Sequence, residues 1–67
     1  MKDEDIENKT VFYTEKYGNH ICECGGIIPL NIDDRFIDKN GDLYKVVFKL
    51  FNVSKMIMIY HGNLLTK

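Results

Sequence analysis

With 67 residues and 7.8 kDa, the chain has room for one small domain, which excludes two-lobed enzymes, dinucleotide folds and closing lids. Hydrophobic residues make up 45% and charged residues 28%, the composition of a globular domain and not of a disordered chain. The net charge of −1 hides a gradient: residues 1–42 hold all ten acidic residues and five of the nine basic ones, a net −5, whereas residues 43–67 hold four lysines and no acid.

The chain contains neither Ala nor Gln and is rich in Val, Ile, Thr, Phe and Tyr, so helices lack their best formers and strands are well supplied. The expected fold is small and all-β, an antiparallel sheet or partly closed barrel of about five short strands. No apolar stretch approaches the roughly 20 residues of a membrane span, and the first residues are acidic where a secretory signal is basic and then apolar. A cytoplasmic location is expected, where Cys22 and Cys24 serve as metal ligands or buried thiols in preference to a bridge. The richness in Ile, Lys and Asn fits an AT-rich bacterial or phage gene.

In chain order, Met1 to Lys9 reads as a flexible acidic tail, and residues 10–67 as a single β domain. From Thr10 to Tyr17, Val11, Tyr13 and Tyr17 alternate with Thr14 and Lys16 as in a half-buried strand. Gly18-Asn19 ends it, and His20 to Gly26 follows, closing on a glycine pair suited to a tight turn. Ile27 to Ile32 is apolar but contains the only proline, so an edge strand or strand start is expected.

Asn40-Gly41 predicts a two-residue type I′ hairpin joining strands at 34–39 and 42–51, with Ile37 opposite Tyr44 and Asp38 opposite Leu43. Alternation along 43–51 assigns Tyr44, Val46, Phe48 and Leu50 to the core, and Lys45, Val47, Lys49 and Phe51 to a partly covered outer face. Met56 to Tyr60 predicts a central strand. His61-Gly62-Asn63 predicts a break before a last short strand.

The residues with chemistry are His20, Cys22 and Cys24, which alternation in a strand turns to one side, and His61, the only other residue of the right type for a tetrahedral zinc site. Cys24-Gly25-Gly26 followed by Ile27-Ile28 resembles the second half of a zinc-ribbon knuckle, and Tyr60-His61-Gly62-Asn63 is similar to the opposing knuckle. The resemblance spans about 20–63 and implies a degenerate zinc ribbon, because the ribbon's Cys-x-x-Cys spacing is here Cys22-x-Cys24 and Met58 stands at the first ligand position of the second knuckle. It also implies contact with nucleic acid or the transcription machinery. The competing reading makes both cysteines small buried or half-buried residues, with no metal or other cofactor.

No nucleophile, base and pocket can be assembled for catalysis: the one serine, Ser54, lacks a nucleophile elbow, and the aspartates near the hairpin lack calcium-loop spacing. The chain is therefore expected to be no enzyme but a small binding module, a regulator or inhibitor of a larger bacterial or phage protein. Lys45, Val47, Lys49, Phe51, Met56 and Met58 are its expected contact residues. A partner protein or a second copy in a homodimer would cover apolar strand surface that a chain this short cannot bury. Nucleic acid is the weaker alternative partner, since by alternation Lys45 and Lys49 share a face with Phe51 whereas Tyr44 and Phe48 point the other way, into the core.

Overall fold

The computed structural model describes residues 6–66. All regular structure within them is strand: β1 (Lys9–Thr14), β2 (His20–Gly25), β3 (Arg35–Ile37), β4 (Leu43–Asn52) and β5 (Ile57–Thr66). They form one sheet in the order β2-β1-β5-β4-β3. The β1/β5 pair is parallel and the other three are antiparallel, so the sheet is mixed, a half-barrel whose edge strands do not meet. Of the acidic tail expected over 1–9, residues 1–5 lie outside the described residues. Glu7 and Asn8 donate backbone hydrogen bonds to Lys55 O, and Lys9 opens β1.

Ile57–Tyr60 of the Met56–Tyr60 run opens the central strand β5, as its β-branched and uncharged composition predicts, but Met56 stays in the preceding turn and the strand continues through His61-Gly62-Asn63 to Thr66. Gly62 is a close-approach glycine and not a breaker: a Cβ there would stand 2.9 Å from the Phe36 ring and 3.1 Å from Tyr44 Cβ. The missing side chain admits the aromatic core. Phe12 packs on Phe36 and Tyr60 at ring-centroid distances of 4.5 and 5.4 Å, and Phe36 stacks on Tyr44 at 5.2 Å around the fully buried Val46.

The strand expected at 27–32 is absent. Residues 26–34 run as an irregular strap from the β2 edge across the inner face of the sheet to β3, with Ile28 and Leu30 packed on Phe12, Val46 and Tyr60. Pro29 cannot donate to a ladder, and buried backbone outside a ladder needs other partners. Two fully buried polar side chains provide them. Thr10 Oγ1 donates to Gly26 O (2.8 Å) and accepts from Ile28 N (2.9 Å); the Tyr60 hydroxyl donates to Ile28 O and accepts from Leu30 N (2.7 Å). At its far end the strap joins β4, through Asp33 N to Val46 O (2.8 Å) and Val46 N to Asp34 O (2.7 Å).

The Asn40-Gly41 hairpin forms, one residue longer than expected. Gly41 is left-handed (φ 86°) but Asn40 is not, Gly41 N donates to Asp38 O, and the Asp38 carboxylate accepts from Asn40 N and Asp42 N at 2.9 Å each. Asp38 thus turns the I′ geometry into an Asx-capped three-residue loop. The register moves with it, to Ile37 opposite Leu43 and Phe36 opposite Tyr44. The first strand ends at Thr14, not Tyr17, since Gly18 N and Asn19 N both bond Thr14 oxygens and turn the chain there.

Two substitutions test this packing by urea denaturation. Tyr60→Phe strands Ile28 O and Leu30 N and should cost about 1–3 kcal/mol, against less than about 0.5 kcal/mol for Tyr17→Phe on the surface. Gly62→Val should cost about 1–3 kcal/mol by overpacking the Phe36 ring. Gly25→Ala, whose Cβ meets nothing within 4 Å, should lose no stability.

Candidate functional site

Two one-residue bulges decide which side chains share a face. Between β1 and β2, Phe12 faces Cys22 and Tyr13 faces His20, leaving Ile21 as the extra residue. Between β4 and β5, Val46 faces Gly62 and Phe48 faces His61, leaving Val47 extra. Each bulge reverses the alternation beyond it.

The consequence in β4 corrects the expected core. Tyr44 and Val46 point inward as predicted, but after Val47 the inner positions pass to Lys49 and Phe51, which pair with Tyr60 and Met58. Phe48 and Leu50 turn outward, 52% and 53% exposed. The alternation in 43–51 could not reveal this, because apolar residues lie on both faces in either phase.

The outer face carries a row of four rings across four strands. His20 meets Tyr13 edge-on (5.8 Å, 81°), Tyr13 stacks with His61 (5.6 Å, 27°), and His61 meets Phe48 at 5.5 Å and 67°. Beside it, register aligns Glu23, Val11, Ile59 and Leu50 in a second row. Val11 is buried among its neighbours, while Leu50 stands open to solvent.

At the Phe48 end the face dips into a hollow of about 400 Å³ lined by Glu15, Val47, Phe48 and His61. The Val47 bulge shapes one wall. On the other, Glu15 N donates to Gly62 O (2.8 Å), which holds the first residue after β1 beside β5. A smaller hollow of about 220 Å³ adjoins it across Glu15 and includes Lys16, Tyr17 and Leu64. Sequence reasoning missed Tyr13, Glu15, Phe48 and Leu50 as surface residues, because only the bulges and the turn at Thr14 bring them together.

The four expected zinc ligands divide between the two faces. Cys22 and Cys24 pair with the inner-facing Phe12 and Thr10, whereas His20 and His61 lie on the outer face with the Tyr13 ring between them. Among the described residues no three His, Cys, Asp or Glu side chains group to hold a metal ion. The residues present do not fit a tetrahedral zinc within one chain, and Tyr60–Asn63 is continuous strand where a knuckle needs a turn.

The expected contact residues are likewise dispersed. Lys45 lies on the outer side opposite Asn63, its ammonium 3.9 Å from Asp33; Val47 lines the hollow. Lys49, Phe51 and Met58 are on the inner side, where Lys49 Nζ donates to Leu30 O (3.4 Å) and Met58 packs on the core. Met56 sits in the β4–β5 turn with φ 57°. Comparison with protein-family models, curated proteins and solved structures finds no match, so any functional reading rests on the two faces of the sheet.

Burial raises the Cys22 thiol above its ordinary pKa, with the Cys24 sulfur adding to the effect, and this disfavours the reactive thiolate. Cys24 is exposed at the sheet edge. Iodoacetamide near pH 8 should therefore modify Cys24 first in the folded protein, and the two cysteines should become equivalent in urea, as read by peptide mass mapping.

Proposed function

We propose that the protein is a non-enzymatic binding module that docks another protein on the outer face of its sheet, in the cytosol, as a regulator of a larger partner. The observation that carries this reading is the half-exposure of Phe48 and Leu50 on the outer side of β4, opposite His61 and Ile59. Contiguous aromatic and aliphatic surface with a polar rim is the composition of a protein interface. The inner face is packed under the strap, whereas Phe48 and Leu50 at the β4 side of the outer face stand half-exposed.

The hollow supports binding over catalysis. It is open to solvent, while acid–base or nucleophilic chemistry gains from a site that excludes water. The ring row also has the form of a stacking platform for unpaired bases. Against that, Glu15 lines the hollow at the Phe48 end and the Glu23 carboxylate stands 3.9 Å from His20 at the other, where a phosphate backbone would need positive charge. No metal takes part in this proposal. Among the described residues, no helix is long and apolar enough to cross a membrane.

The test pairs two surface variants with a co-purification. Phe48→Ser and Leu50→Ser should leave the circular dichroism spectrum intact and lose the partner that wild type retains, since truncating a central anchor costs about 2 kcal/mol or more of binding, some thirtyfold in affinity. Retention of the same partner by both variants would refute docking on this face. Sedimentation of the wild type identifies the case in which the occupant is a second copy.

A further inference from the structure

We infer that the hollow beside Phe48 receives an arginine side chain of the partner, an assignment that rests on the protein-docking reading above. Its lining combines what a guanidinium needs: one carboxylate, Glu15, and two ring systems, Phe48 and His61, beside the aliphatic Val47. A guanidinium stacks on an aromatic face and presents paired N–H donors to a carboxylate at its edge, which the compact ammonium of lysine does less well.

Glu15 is placed for this role. Its backbone is fixed by the hydrogen bond to Gly62 O (2.8 Å), so the residue lines the hollow from an anchored position. Its charge is also unspent. Glu7, Glu23 and Asp33 each have a basic neighbour within 4.0 Å, and Asp34 and Asp38 cap turns, but among the described residues Glu15 has no ion-pair partner. The nearest lysine in sequence, Lys16, holds its ammonium 5.4 Å over the Tyr17 ring, on the side of the smaller hollow. No lysine or arginine lines the larger one.

The hollow's volume of about 400 Å³ exceeds a guanidinium group and leaves space for an adjoining apolar side chain against Val47 and Phe48. Arginine is enriched at the centre of protein interfaces for this combination of apolar stacking and directed charge. A single-stranded nucleic acid, the competing occupant of the ring row, would bring negative charge towards Glu15.

The experiment is an amide chemical-shift titration of the ¹⁵N-labelled full chain with three blocked tripeptides, Gly-Arg-Gly, Gly-citrulline-Gly and Gly-Lys-Gly, and with an octathymidine. The arginine peptide should produce saturable shifts clustered at Glu15, Val47, Phe48 and His61, and the uncharged citrulline isostere should produce none at equal concentration. Glu15→Gln should weaken the arginine response about tenfold, and Phe48→Leu about threefold. The assignment is overturned by an unshifted spectrum, by equal responses to arginine and citrulline or to arginine and lysine, by a Glu15→Gln variant that binds as wild type, or by octathymidine shifting these amides where the peptide does not. If the arginine peptide fails while Phe48→Ser still loses its protein partner, the docking face stands and only this occupant falls.

Discussion

The Tyr60 hydroxyl, held between Ile28 O and Leu30 N, is the contact on which the rest of the architecture depends. A single sheet of this length must cover at least one face to fold, and the chain has no helix or second sheet among its described residues with which to do so. It uses an irregular strap instead. Such a strap brings peptide groups into an apolar environment, where each unpaired N–H or C=O costs about 1–3 kcal/mol. Tyr60 and Thr10, buried on neighbouring strands, satisfy four of these groups, so Ile28 and Leu30 can lie on Phe12 and Val46 without a ladder.

The strap serves the inner face, and the two bulges determine which side chains the outer face displays. Without the Val47 bulge, Phe48 and Leu50 would face the strap and Lys49 would face solvent. With it, Lys49 reaches Leu30 O across the strap, and two large apolar side chains turn outward. The bulge at Ile21 does the same for His20, separating it from Cys22 and aligning it with Tyr13 and His61. Bulges of this kind re-aim side chains at functional surfaces. Here they convert an alternating strand pattern into a contiguous ring row ending at the Glu15 hollow.

Much of the fold was legible from residue types alone. The absence of Ala and Gln, the β-branched runs and the Asn40-Gly41 pair foretold an all-β domain of five strands with its hairpin near residue 40. The uncharged run at 56–60 foretold the central strand. What escaped was geometry that a tertiary partner decides. Gly62 looks like a breaker unless the Phe36 ring that needs its missing Cβ is known; Ile27 to Ile32 looks like a strand unless Tyr60 is known to take over its hydrogen bonds. Asp38 could have been read as an Asx cap that lengthens the loop, since an aspartate two residues before Asn-Gly carries that signal. The candidate site was the least legible part, because a bulge in a strand apolar on both faces leaves no mark in alternation.

Hydrogen exchange at two backbone amides tests most directly that side chains, not a strand ladder, dock the strap. Ile28 and Leu30 lie outside every strand, yet their N–H groups donate to Thr10 Oγ1 and the Tyr60 hydroxyl. Both should exchange as slowly as the amides of central strand β5, opening only with substantial unfolding of the domain. Exchange of both at the rate of the exposed turn residues Lys16 and Tyr17 would contradict the account, since a strap that opens freely leaves the inner face without its cover.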